Sequence, residues 1–291
     1  MDELHVGRGT TRGAMTVFPL WGATGGRRRY TMGGRDLEVA EMPEGPYVGS
    51  LLVGNRAVVP ALVLEGQLFE GGWQHRMSRH SLMVGAGERM AVEVACVEEG
   101  RWGGAAEQRT RGRRATPYVA DAVRHGADTE GDDVQGEVWS RVAAHTRGVH
   151  ATATGSLVER LDTFRHEATD WSRVRPLIGQ VGVLVGIGGQ PYVAEVFDSP
   201  TALRDQLPAL LEAAALDAQL ARAVPTPGRR ARRFVDRAAR VRLAAGEQAG
   251  VAERRRAATD HLDVVALRWD GHDVHTRITH VRHPLLAGAG R

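Results

Sequence analysis

The chain has no lysine: all 38 of its Lys+Arg positions are arginine. That absence removes Schiff-base chemistry, a phosphate-loop lysine and a Ser-x-x-Lys nucleophile pair. Asparagine is almost as scarce, with Asn55 the only one, while Ala, Gly, Arg and Val dominate, the composition of a GC-rich genome. Cysteine occurs once, as Cys96, which excludes an intrachain disulfide and any Cys-rich zinc or iron–sulfur site and fits a reducing compartment. No run approaches the roughly eighteen consecutive apolar residues of a membrane span. The opening MDELHVGRGTTRG carries no apolar stretch suited to a secretory signal, so the reading is a cytoplasmic protein with no membrane partner.

What is present is enough for a substantial core. The chain has 291 residues, 42% hydrophobic and 25% charged, with a formal net charge of +3, room for one large domain or two ordinary ones. Residues 1–14 read as a flexible arm and 15–283 as one α+β domain, with 284–291 as a tail. Within that domain, 15–102 form a β-rich half, because short runs such as MTVFPL, VGSLLV, HSLMV and MAVEVACVEE are separated by turn residues. Residues 103–133, rich in Gly, Arg and then Asp/Glu, read as a connecting loop in which only TPYVADAV looks ordered. Residues 134–283 form a mixed α/β half. VQGEVWSRVAAH and SLVERLDTF have helical spacing, and QVGVLVGIGGQPYVAEVF is a hairpin turned at its glycines. Ser199 and Pro200 start a helix reaching about Arg222 with a break or kink at Pro208, and Asp270 and Gly271 turn a last hairpin. The fold expected is a β-rich barrel or sandwich in the N-terminal half with a helix-containing mixed C-terminal half.

Strand parity directs attention to EGGWQHRM at residues 70–77. Met90, Val92, Val94 and Cys96 share a face that ends at Glu98, which makes Cys96 a buried hydrophobe. On the preceding run, Leu82 and Val84 lie on the same face as His80, Ser78, Arg76 and Gln74. A five-residue turn at 85–89 sets Arg76 opposite Glu98, whereas a shorter one pairs Gln74 with Glu98. Either register gives a face running from apolar to strongly polar, as a pocket wall does. Gln74, Arg76, Arg101 and Trp102 offer an amide, two guanidinium forks and an indole, a set suited to gripping phosphate or carboxylate and stacking a ring. Glu65 and Glu98 would orient a hydroxyl or serve as acid and base. The dull alternative is an Arg76–Glu98 ion pair that only holds a hairpin.

These residues also carry a resemblance. EGQLFEGGWQHRM followed by AVEVACVEEGRW resembles the family named for its association with ADP-ribosylglycohydrolases and rhodanese-phosphatases. There an acidic E-G-E/Q leads to a G-x-Q-N-R type motif and then V-x-C-x-E-x-G-R-W. The likeness spans nearly the whole chain and maps onto Glu65, Gln74, Arg76, Cys96, Glu98, Arg101 and Trp102. Trp73 stands where members often have lysine and His75 where they often have asparagine. The family's company implies a link to ADP-ribose or NAD-derived metabolites.

Other chemistries fit less well. His272, His275, His280 and His283 are dense, but residues three apart on a strand point to opposite faces, so no metal site and no cofactor is expected. No Gly-x-Ser-x-Gly elbow is present, and GIGG has no helix start behind it to hold phosphate. The run RRARRFVDRAARVR reads first as a solvated face over a core stripe, with RNA or another polyanion the lesser alternative, so nucleic acid is not the expected partner. The leading expectation is a cytoplasmic ligand-binding or sensing protein for a nucleotide-derived anion. The alternatives are a metal-independent hydrolase of an ADP-ribose-like substrate and a structural interaction protein without a small-molecule site.

Overall fold

The computed structural model describes residues 4–45, 47–125, 133–167 and 171–288. The protein is α+β and divides into two compact units, Met1–Arg28 with Trp171–Arg291, and Arg29–Asp170. Among the described residues no helix is long and apolar enough to cross a membrane.

The unit spanning 29–170 is built on a closed six-stranded barrel. Its strands run, in spatial order, Arg89–Cys96, Ser50–Asn55, Leu37–Ala40, Glu107–Arg109, Leu68–Gly71 and Arg76–Ser78, the last pairing back onto the first. Closure leaves no free sheet edge, and alternation along each strand decides what fills the interior. Leu51, Val53, Val92, Val94 and Cys96 are all buried as parity requires. The pairing is where expectation fails: residues 74–84 do not form one strand against 90–98. Arg76–Ser78 pairs with the end of Arg89–Cys96, setting Arg76 opposite Cys96 rather than Glu98. Leu82–Val84 instead leaves the barrel to pair with Ala61–Val63. Helices Pro117–His125, Val134–His145 and Leu157–Glu167 complete the unit. Gln135 faces the barrel strand bidentately, accepting from the Cys96 N–H and donating to its carbonyl, both at 2.8 Å.

The other unit is a nine-stranded antiparallel sheet. Its central order is Met15–Trp21, Gly182–Ile187, Gln190–Phe197, His272–His280, Leu262–Trp269 and Ala252–Ala258. Both expected hairpins form, and their turns show why. Asp270 and Gly271 have φ of 51° and 85°, and Gly188 and Gly189 have 58° and 86°, the paired left-handed residues that match strand twist in a two-residue turn. The residues expected as an arm hold strands His5–Val6 and Thr10–Arg12, both paired to Met15–Trp21, while residues 1–3 lie outside the described ones. The expected loop 103–133 contains the barrel strand Glu107–Arg109, and its residues 126–132 are outside the description. In the expected tail, Pro284–Ala287 is a helical turn and 289–291 are not described.

Ser199 caps the helix Pro200–Ala218, accepting from the Ala202 N–H at 3.3 Å. Pro208 does not break it: the helix runs through, losing one backbone donor. The basic helix Gly228–Ala239 buries Ala231, Phe234, Val235 and Ala238 against Phe18, Leu20, Leu184, Leu262 and Ile278.

His283 ties the segment after the last strand to the end of Gly182–Ile187. Its Nδ1 accepts from the Leu285 N–H at 3.2 Å, so Nε2 carries the proton and donates to the Ile187 carbonyl at 3.0 Å. Burial, only partly offset by that carbonyl, lowers its pKa from 6.5 to about 4. The unfolded chain therefore takes up a proton below pH 6.5 that the folded chain refuses until about pH 4, and stability is lost as pH falls through that window. We expect the melting temperature to drop between those values and His283→Asn, which keeps an acceptor for Leu285 without a titrating ring, to flatten that drop. An unchanged slope in the variant would refute the assignment.

Candidate functional site

EGGWQHRM spans the hairpin that joins Leu68–Gly71 to Arg76–Ser78, with residues 72–75 as its loop. Gly71 and Gly72 are required there, with φ of 104° and 58°, and a Cβ on Gly72 would fall 2.4 Å from the Gln108 amide nitrogen. The His75 ring closes the loop by accepting from the Gly71 N–H at 3.0 Å. Burial, foremost, lowers the His75 pKa, so the ring is held neutral with its proton on Nε2, 3.8 Å from Glu98.

Glu98 anchors this loop from the neighbouring strand end. It is 1% exposed and accepts from the Arg101 Nε and Nη2 at 3.0 and 2.7 Å, from Thr154 at 2.6 Å and from the His75 N–H at 3.0 Å. Burial alone would push its carboxyl up; the bonds from Arg101, Thr154 and His75 outweigh it and hold the group below the usual carboxylate range. Arg101 spends its remaining donors on the carbonyls of Gly72 at 2.7 Å, Gly103 at 3.2 Å and Gly71 at 3.3 Å. This guanidinium is a clamp on the backbone, with no donor left over for an anion in this arrangement.

Arg76 belongs to a different pair. Its Nη1 lies 2.9 Å from Glu41 Oε1 and its Nε donates to the Val48 carbonyl at 3.2 Å. Glu41 directly follows the strand Leu37–Ala40 on the face of Leu37 and Val39, so parity points its side chain inward without saying which residue it meets. Its Oε1 also accepts from the Trp73 N–H at 3.3 Å and from Gln108 Nε2 at 3.2 Å. Its Oε2 is buried with no hydrogen-bond partner, as are the Oε1 atoms of Gln74 and Gln108. Both amides are oriented by their nitrogens, since Gln74 Nε2 donates to the Glu98 carbonyl at 2.9 Å and a flipped amide would set oxygen against oxygen. Three buried acceptors thus remain at this end of the barrel without donors, a state that native interiors avoid unless water or a ligand supplies them.

Of the other predicted residues, Trp102 is 57% exposed, and Glu65 is tied through its backbone to Ser81 and Arg114. Cys96 is fully buried next to Arg76; burial raises its thiol pKa and the guanidinium only partly opposes this. Among the described residues no group of three or more His, Cys, Asp or Glu is placed to hold a metal ion. The four tail histidines each bond to different partners, His275 to Glu195 at 2.9 Å and His272 to Asp198 at 3.2 Å for instance. His272 and Asp198 line a concavity of about 410 Å³ in the sheet unit, to which none of the six predicted residues contributes.

Fold and site together define an α+β protein with a closed barrel whose polar end is built by Glu41, Gln74, Arg76, Glu98 and Arg101. The chain belongs to the ARG and Rhodanese-Phosphatase-superfamily-associated Protein domain family (ARPP-1), whose pattern matches residues 3–279. No curated protein and no solved structure matches it.

Two outcomes test this geometry. Cys96 should resist thiol reagents in the native protein and react once denatured, so rapid native labelling would show that the barrel interior is misassigned. Glu98→Gln should cost about 2–4 kcal/mol by stranding the Arg101 charge. Because the folded carboxyl titrates low, its contribution is present above the ordinary carboxylate range and lost on acidification. The gap in melting temperature between wild type and Glu98→Gln should therefore narrow as pH falls below about 4.

Proposed function

We propose that this protein binds a nucleotide-derived small molecule at the polar end of its barrel, in a cytoplasmic setting. The observation that carries the reading is the set of unpartnered buried acceptors, Glu41 Oε2, Gln74 Oε1 and Gln108 Oε1. Such a set calls for hydrogen-bond donors, and vicinal ribose hydroxyls or an exocyclic amine supply them. The grip therefore falls on the sugar or base of the ligand, while Arg76 and Arg101 brace the site and Trp102 offers a flat exposed face. Reading ARG in the family's name as ADP-ribosylglycohydrolase puts ADP-ribose and NAD-derived molecules first among candidate ligands. Catalysis by Glu98 is the weaker reading. A carboxylate wrapped by Arg101, Thr154 and a backbone N–H, and held below its usual range, has no proton to give as a general acid.

The test is a thermal-shift comparison of ADP-ribose, NAD and AMP on the wild type and on Glu41→Gln. At a hundred times its dissociation constant a ligand stabilises the fold by about 2.7 kcal/mol, which is roughly several degrees for a chain of this size. ADP-ribose should produce that shift in the wild type, and Glu41→Gln should remove most of it. If none of the three moves the wild type, the barrel end is a structural polar cluster and the reading fails.

A further inference from the structure

We propose that the basic helix Gly228–Ala239 carries a second site, in the sheet unit, for the phosphate groups of a small diphosphate-bearing molecule. A concavity of about 200 Å³ lies between this helix and the strands, with Arg230, Arg233, Arg237, His261 and His280 around an apolar floor that includes Phe234. No carboxylate lines it; Asp236, the helix's one acid, is not among the lining residues.

Apart from Arg237, whose place in the last turn suits the helix dipole, the charge arrangement runs against what helix stability prefers. Arginines 230, 233 and 237 are spaced three and four apart, so they share one face and repel one another. The first turn contains no acidic residue, and Pro227 supplies no side-chain cap, so cations crowd the positive end of the helix dipole. Arg230 reaches the Gly189 carbonyl at 2.6 Å. Neither Arg233 nor Arg237 makes a hydrogen bond or an ion pair among the described residues. Phe234 on the same face is buried in the core, so the helix cannot rotate to disperse the charges. His280 lines the cavity as a neutral ring: its Nδ1 donates to the Pro191 carbonyl at 3.0 Å and burial, foremost, lowers its pKa, with the His261 ring centred 6.5 Å away.

The two guanidinium forks of Arg233 and Arg237, on a concave surface with no carboxylate in its lining, match the oxygens of a diphosphate. An extended polyanion would also use Arg229, Arg232 and Arg240, which do not line the cavity. That difference separates a small phosphorylated ligand from RNA. The site lies in the other unit from Glu41 and stands or falls independently of the barrel reading.

The experiment is calorimetric titration of the full chain with inorganic pyrophosphate at low salt, with imidazole resonances recorded by NMR. Wild type should bind and shift the His261 and His280 signals. Arg233→Gln/Arg237→Gln should weaken binding roughly tenfold or more, with little change in melting temperature because both side chains are exposed. Arg229→Gln/Arg232→Gln should bind as the wild type does. The proposal is overturned if pyrophosphate produces no heat and no imidazole shift, or if the two double variants lose affinity equally. It is also overturned if a single-stranded RNA binds with a steep salt dependence while pyrophosphate does not.

Discussion

A carboxylate stays ionised inside a protein only where donors replace the water it has lost. Glu98 meets that demand with Arg101, Thr154 and the His75 N–H, and each donor ties down a different piece of chain. Arg101, oriented by Glu98, in turn holds the carbonyls of Gly71, Gly72 and Gly103. The hairpin loop, the turn after the barrel strand and the segment leading into Leu157–Glu167 are therefore fixed around one buried charge. The loop's two left-handed glycines and its neutral His75 depend on that anchor for their placement.

The second buried carboxylate, Glu41, is arranged differently. Arg76, Trp73 and Gln108 all donate to one of its oxygens, leaving the other with none. Both oxygens of Glu98 are bonded within the chain; only one oxygen of Glu41 is. The contrast separates Arg101 with Glu98, satisfied within the chain, from the oxygens of Gln74 and of two residues the sequence reading did not include, Glu41 and Gln108, which lack donors among the described residues. A reading that gave every arginine to a ligand missed this because opposite charges within the chain compete for the same forks.

How much was legible in the sequence follows from which physics is local. Alternation placed Val92, Val94 and Cys96 inside, and Asp270–Gly271 declared its own turn, because each depends only on adjacent residues. Alternation says which face a side chain takes but not which strand lies beside it. Arg89–Cys96 therefore turned out to pair with Ser50–Asn55 along one part and with Arg76–Ser78 along another. The partners of Arg76 and Glu98, Glu41 and Thr154, lie 35 and 56 residues away, where spacing carries no signal. At Pro208 the expected break is absent for the opposite reason: a local rule was overridden by a helix that buries Leu203, Leu207, Leu210 and Leu211 on both sides of it.

The division of the chain sets an order of assembly. Met15–Trp21 is made early, yet its neighbour in the sheet, Gly182–Ile187, is about 160 residues further on. At a synthesis rate of about 5–20 residues per second, that strand waits roughly ten to thirty seconds for its partner. During the wait the whole of Arg29–Asp170, whose pairings are all internal to it, is already available to close its barrel. The sheet unit is thus begun before the barrel and finished after it, with Met15–Trp21 held until then only by its local partners His5–Val6 and Thr10–Arg12.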